Sequence, residues 1–248
     1  IIAASLSADN GNNTLLIDDK NELGGTTIFQ DDENFKINNE ISSVWLNNKI
    51  KELENKENLT IKKRTSLAAY HNYNYLLARE NLADHKSLNE RSNKLRQRLL
   101  KIRAKKVILA TGAIERPLIF NNNDRPGIML AHSVKKYIDF FGVKCGNKNV
   151  IFTNNDSAYE TAISLNKKGI NVIVVDLRNN TSSILSQNAK NAGIKIYWNH
   201  TIVDTKGYRK IKSIEIMEMS EDGTNVVGNK ITLPCDNLSI SGGWTPMV

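Results

Sequence analysis

Cysteine is scarce in this sequence. Cys145 and Cys235 are the only two, and neither belongs to a Cys-x-x-Cys pair or to a cluster with metal-ligand spacing. A disulfide scaffold and a zinc site are therefore excluded, and a reducing, cytoplasmic compartment fits. No apolar run in the sequence approaches the roughly 20 residues that span a bilayer, so no membrane association is expected. The opening residues, Ile1-Ile2-Ala3-Ala4-Ser5-Leu6, lack the basic leader and small-residue cleavage site of a signal peptide. Histidine is also sparse: His71, His85, His132 and His200 are scattered, and each reads as a surface or packing residue. No catalytic residue and no metal ligand stands out. What is present is ordinary for a folded chain: 248 residues, 40% hydrophobic and 24% charged, enough for one large domain or two small ones. The net charge of +8 permits an acidic partner without proving one.

Residues 149–178 read as a complete βαβ unit. Asn149-Val150-Ile151-Phe152 is a short apolar strand; Thr153-Asn154-Asn155-Asp156 is a turn, and Asp156 or Ser157 can cap the helix that follows. Ala158, Ala162, Ile163 and Leu165 recur at helical spacing until Gly169. Asn171-Val172-Ile173-Val174-Val175 is then a continuous apolar strand, the pattern of a buried parallel sheet, with Asp176 at its carboxyl end. The start of the chain repeats the second half of this unit: Ala4-Ser5-Leu6, Gly11, Leu15-Leu16-Ile17 and Asp18. In dinucleotide-binding units an acid lies about 20 residues beyond the first glycine of G-x-G-x-x-G. Counted back from Asp18, that glycine falls just before Ile1. The expectation is a chain cut at or just after a glycine-rich phosphate loop; an intact α/β domain with a ragged start is the alternative. The first strand of that unit would then be missing from the middle of its parallel sheet, and such a piece is expected to be unstable in isolation.

Asp18 alone is weak, since a strand-end aspartate is often a cap. Leu23-Gly24-Gly25-Thr26 strengthens it, because two glycines let the backbone come close to a pyrophosphate or ribose. An amphipathic helix is expected over residues 38–57, with Ile41, Val44, Trp45, Leu46, Ile50 and Leu53 in its buried stripe. Residues 59–61, 67–70, 75–78 and 99–102 read as a small antiparallel meander. Val107-Ile108-Leu109-Ala110 reads as a buried strand ending in the small-residue turn Thr111-Gly112-Ala113. Between Glu90 and Lys106 lie eight cations, Arg91, Lys94, Arg96, Arg98, Lys101, Arg103, Lys105 and Lys106. They form either a solvated hairpin face or an electrostatic docking surface, and no signature of nucleic-acid binding accompanies them. In the second βαβ unit the glycine positions are filled by Thr153, Asn155 and Ala158, and Asp156 brings a carboxylate to the helix start. Its phosphate cradle is damaged. No cysteine pair follows Gly24-Gly25, so thiol redox chemistry is excluded.

Two strings are more specific. Ala110-Thr111-Gly112-Ala113-Ile114-Glu115-Arg116-Pro117-Leu118-Ile119-Phe120 with Asn123-Asp124-Arg125-Pro126-Gly127-Ile128-Met129 resembles the alpha subunit of heterotetrameric sarcosine oxidase. Phe152-Thr153-Asn154-Asn155-Asp156-Ser157-Ala158-Tyr159, Ser241-Gly242-Gly243-Trp244-Thr245-Pro246, Asp18-Asp19, Leu23-Gly24-Gly25-Thr26 and residues 75–85 fit the same family. The resemblance implies an α/β chain with two Rossmann-like dinucleotide-binding domains of the FAD/NAD(P)-binding, glutathione reductase-like kind, the first truncated at its N-terminus. The first domain would comprise 1–143 plus 236–248, and the second, degenerate one 144–235. It further implies NAD in the first site, FMN at the interface with the beta subunit, FAD in the beta subunit, and tetrahydrofolate in a C-terminal region this sequence lacks. The implied partners are the beta, gamma and delta subunits of an oxidoreductase complex acting on CH-NH donors, with no nucleic acid and no membrane; this piece alone would be inactive.

Carried onto this sequence, the resemblance makes Asp18 and Asp19 the ribose-binding carboxylates, with Lys20 beside the adenosine. Gly24, Gly25 and Thr26 would line the pyrophosphate side, the strand near Leu67 would meet the adenine, and Thr111-Gly112 would close the pocket. A carboxylate on the ribose hydroxyls favours NAD over NADP, and Lys20 weakens that discrimination. Two other readings remain: an FAD-binding subunit of a related amine or opine dehydrogenase, and a non-catalytic assembly module.

Overall fold

A computed structural model describes residues 1–30, 35–91 and 94–247. The chain forms two compact units, Ile1–Ala110 and Thr111–Val248.

The first unit opens with α1 (Ile2–Asp9), followed by β1 (Thr14–Ile17). A short 3-10 turn, Gly25–Phe29, precedes α2 (Ser42–Glu54). Strands β2 (Leu59–Lys62), β3 (Thr65–His71), β4 (Tyr75–Asn81) and β5 (Gln97–Arg103) follow. Ala4 and Ala8, one helical turn apart, face Leu53 of α2 and Leu59 of β2, and Leu16 and Ile61 pack against them. Ser5 Oγ donates to Asp9 and Glu52, and Lys56 joins both carboxylates.

Three sequence expectations change here. Residues 59–62 do not belong to the meander: β2 lies parallel to β1, with Leu15 opposite Thr60. The antiparallel sheet is β3-β4-β5 alone. The helix is shorter than 38–57, because Asn38 and Asn39 adopt positive φ in a turn between two short strands. Its buried residues are Ser42, Leu46 and Leu53; Ile41 and Val44 are exposed, and Trp45 is half-buried. Residues 107–110 form no strand. Among the described residues no ladder partner meets them, and Ile108 and Leu109 stay exposed.

Glu80 of β4 ties β2 to the meander. It is buried and takes Lys62 Nζ at 3.1 Å and the Arg98 guanidinium at 2.7 Å. Burial pushes its carboxyl up, but Arg98 and Lys62 outweigh that and hold it below the usual glutamate range.

The second unit contains β6 (Ala113–Glu115), β7 (Ile128–Leu130), α3 (Ala131–Asp139), β8 (Lys148–Thr153), α4 (Ser157–Lys167) and β9 (Asn171–Asp176). It continues through α5 (Ile184–Asn191), β10 (Lys195–Trp198), β11 (His200–Lys206), β12 (Ser213–Met219), β13 (Val226–Pro234), β14 (Asn237–Ser241) and β15 (Trp244–Pro246). A five-stranded parallel sheet runs in the order β10-β9-β8-β14-β7. Alternation along β8 splits the core in two. Ile151 packs under α3, α4 and α5 with Val134, Tyr159, Leu165 and Ala189. Val150 and Phe152 face the antiparallel sheet β11-β12-β13, against Ile202, Ile214, Ile216 and Leu233.

The sequence grouping places 111–143 and 236–248 with the first domain. By compactness they fall in the second unit, because β14 lies between β8 and β7 in its central sheet. The expected cap also differs: Asp156 makes no side-chain cap to α4 and pairs with Arg178 at 2.9 Å.

Candidate functional site

In the first unit Asp18, Asp19 and Lys20 directly follow the end of β1. The Asp18 amide donates to Lys62 O at 3.0 Å, Thr65 N to Asp18 O at 2.9 Å, and Arg64 N to Lys20 O at 2.8 Å. The segment 18–20 is thereby held between the end of β2 and the start of β3. Asp18 Oδ1 accepts the Lys20 amide at 2.9 Å, which fixes the carboxylate in a local turn. Its second oxygen has no partner among the described residues, and the residue is half-buried. Asp19 differs. It is more than half exposed and ion-paired with Lys20 Nζ at 2.6 Å. The two carboxylates therefore do not act as one pair: Asp18 is positioned with a free oxygen, and Asp19 is engaged by its neighbour.

Gly24 and Gly25 also separate. Gly24 has φ +128°, and a Cβ there would lie 2.5 Å from Leu46 Cδ2, so packing against α2 demands that glycine. Gly25 has φ +57° and open space where a Cβ would stand. It is the member of the pair whose bare backbone faces a vacant approach. Thr26 beside it is exposed. Leu67 lies on β3 two residues beyond Thr65, opposite Ala78 at a bulge, and is 39% exposed.

Thr111 and Gly112 lie in the second unit. Thr111 Oγ1 donates to Met247 O, and the Met247 amide donates to Gly112 O at 3.1 Å.

The turn of the second βαβ unit is filled by its own side chains. Thr153 Oγ1 donates to Asn155 O and accepts from Asn155 N, both at 3.0 Å. Asn155 Nδ2 donates to Ser241 O at 3.0 Å, Ser157 Oγ to Asn155 Oδ1 at 2.6 Å, and Trp244 Nε1 to Ser157 Oγ at 3.0 Å. Asp176, the counterpart of Asp18, is fully buried. It accepts the Tyr159 hydroxyl at 2.7 Å, Arg178 Nη2 at 2.8 Å, Arg178 Nε at 3.0 Å and the Arg178 amide at 2.9 Å. Burial and this carboxylate hold the Tyr159 hydroxyl far above the usual tyrosine range. No lone pair of Asp176 faces a ribose.

Sequence reading missed that lock, although Arg178 two residues beyond a strand-end aspartate was its signal. It also passed over Glu115, a buried carboxyl that accepts the His132 amide at 2.8 Å. Burial pushes Glu115 above the usual range against the opposing bonds from Ser241 and that amide. His132 packs edge-on against Trp244 at 5.0 Å, and burial lowers its imidazole.

No protein-family model matches the chain. Among curated proteins, the sarcosine oxidase alpha subunits of two Corynebacterium strains, P-1 and U-96, are each 33% identical to it across its whole length. That of Rhizobium meliloti is 29% identical. The chain is related to the sarcosine oxidase alpha subunit. It spans about a quarter of the length of these relatives. Among solved structures, thioredoxin reductases from T. acidophilum and Lactococcus lactis each superpose with a TM-score of 0.70, at 17% and 18% identity, over 99% of this chain and 73% and 74% of theirs. L-proline dehydrogenase from P. horikoshii gives 0.65 at 22% identity over 99% of this chain and 40% of its own. These likenesses bear out the expected α/β fold of two Rossmann-like domains. No helix among the described residues is long and apolar enough to cross a membrane.

Proposed function

We propose that the first unit holds the adenosine half of a tightly bound dinucleotide, NAD, as part of an alpha subunit in a sarcosine oxidase complex. The observation that carries this reading is Asp18, a half-buried carboxylate anchored by one hydrogen bond with its other oxygen unengaged. Such an oxygen accepts a ribose hydroxyl and repels the 2′-phosphate of NADP. Gly25 adds a backbone that a pyrophosphate can approach, Thr26 a hydroxyl at its side, and Leu67 an exposed apolar surface on the adenine side. Asp19 and Lys20 form an ion pair beside Asp18 in the chain, and their charges largely cancel. A bound nicotinamide dinucleotide supplies a hydride-carrying ring; every residue named here meets the adenosine and phosphate portion.

In this reading the whole protein takes part in the oxidative demethylation of sarcosine to glycine, a CH-NH oxidation. Its beta, gamma and delta subunits are the partners, FMN lies at the beta interface, FAD in the beta subunit, and tetrahydrofolate binds outside this stretch. A second reading puts FAD in the same place, in a related amine dehydrogenase; the fold shared with L-proline dehydrogenase favours it. Both are tested by denaturing the purified full-length alpha-type polypeptide and weighing the released nucleotide. NAD is expected, FAD selects the second reading, and an empty protein overturns both. Asp18→Asn weakens the acceptor by about 1.5–3 kcal/mol, the range for a hydrogen bond to a charged group. It should weaken nucleotide affinity at least tenfold with the fold intact.

A further inference from the structure

The basic run between Glu90 and Lys106 is sorted by the meander into two sets. Arg98 and Arg96 turn to carboxylates, Glu80 at 2.7 Å and Asp84 at 2.6 Å. Lys101 and Arg103 stand on the opposite face of β5, joined there by Arg79 of β4, a cation outside the run. The register sets three cross-strand rows on that face: Ser66-Arg79-Leu99, Ala69-Leu77-Lys101 and His71-Tyr75-Arg103. Each row carries one cation beside an aliphatic or aromatic side chain, and none carries an acid. Arg79, Lys101 and Arg103 are exposed and have no carboxylate within ion-pair distance among the described residues, as have Lys105 and Lys106 just beyond the strand. Lys101 and Arg103, two residues apart on one strand, point the same way about 7 Å apart. Like charges so placed repel, and no carboxylate among the described residues offsets them.

We infer that this face docks a carboxylate-rich surface of another polypeptide. Charge complementarity gives the sign, and the interleaved residues give the class. Leu99 is 59% exposed between the cations, with Leu77 half-buried beside it, so an aliphatic strip separates the charges. Arginine, tyrosine and aliphatic surface together are the make-up of a protein interface. Single-strand nucleic acid wants aromatic rings presented for stacking. Within these rows the Tyr75 ring is covered by the Arg103 guanidinium at 5.3 Å and meets His71 at 6.0 Å, while Tyr73, 86% exposed, lies in the turn beyond them. The outer edge of β5 is also unpaired among the described residues, which gives an extended acidic segment backbone groups to pair with. This surface is independent of the nucleotide reading, since none of its residues takes part in it.

The test uses the full chain with three variants and two probes. Poly-L-glutamate of about 20 residues represents the acidic polypeptide and a 20-nucleotide oligo-dT the nucleic acid. The triple variant Arg79→Gln, Lys101→Gln, Arg103→Gln should lose at least tenfold in poly-L-glutamate affinity. A control triple with the same charge change, Lys144→Gln, Arg209→Gln, Lys210→Gln, should lose less than twofold. Leu99→Ser should lose several-fold without any charge change. In the unmutated chain, bound poly-L-glutamate should protect Lys101, Lys105 and Lys106 from acetylation while leaving Lys51 reactive, a readout that needs no variant to fold. Equal losses in the two triples, absent protection, or tighter binding of oligo-dT with the same residue dependence would each overturn the inference.

Discussion

Replacing Asp176 with asparagine removes one charge from a closed network and leaves its volume unchanged. The carboxylate is fully buried, and its four donors are the Tyr159 hydroxyl, the Arg178 amide and two guanidinium nitrogens. Breaking a buried ion pair from one side costs about 3–5 kcal/mol. Arg178, however, is 31% exposed and keeps Asp156 at 2.9 Å, which places the loss near the lower end. An asparagine amide turned toward Tyr159 also leaves that hydroxyl without its acceptor, about 1–3 kcal/mol for a buried group. The two costs overlap, and the expected total is about 3 kcal/mol. Trp198, whose ring lies 6.1 Å from Tyr159, and Trp244 are two of the three tryptophans and belong to this unit, so tryptophan fluorescence reports mainly on it during urea denaturation. Tyr159→Phe alone should cost about 1.5–3 kcal/mol, the range for a hydrogen bond to a charged group, and the double variant should cost less than the sum of the two by about 1 kcal/mol or more. A cost below about 1 kcal/mol for Asp176→Asn, or strict additivity with Tyr159→Phe, would refute the account of a coupled network.

Other outcomes follow from the same geometry. Gly24→Ala sets a Cβ 2.5 Å from Leu46 Cδ2 at a φ of +128° and should destabilise the first unit by about 1–3 kcal/mol in urea denaturation; Gly25→Ala meets nothing, costs about 1–2 kcal/mol for its left-handed backbone, and should weaken nucleotide affinity. Glu115 has its folded-state carboxyl raised by burial above the usual 4.5, so the folded state binds the extra proton and stability falls as pH rises from about 4.5 through the raised value. Glu115→Gln should flatten that decline in denaturation midpoints measured between pH 4 and pH 8 (roughly the span over which a raised carboxyl titrates). Burial pushes the Cys235 thiol up to about 12. Iodoacetamide near pH 8 should leave Cys235 unlabelled in the folded chain and label it once the chain is denatured.

Much of the second unit was legible because its elements satisfy themselves locally. The apolar run 171–175 had to be a strand buried on both faces, and Gly169 had to close the preceding helix, its φ being +72°. The first unit was harder to read wherever pairing decides the outcome. Leu59 and Ile61 look the same in a meander as beside β1, and only the partner strand distinguishes them. Residues 107–110 have the pattern of a strand and lack one in the structure, because an apolar run becomes a ladder only when a neighbour lies alongside. At the candidate site, Asp18 and Gly25 were readable as residue types at a spacing. That Gly24 answers to Leu46, and Asp19 to Lys20, depends on side chains that sequence order does not bring together or orient.

The seal around Asp176 bears on any attempt to give the second unit a cofactor of its own. Putting glycine back at residue 155 would reopen the turn and gain nothing, since the acid meant for the sugar is already captive. Arg178 and Tyr159 would have to go first, and with them the clasp that fastens the end of β9 to α4.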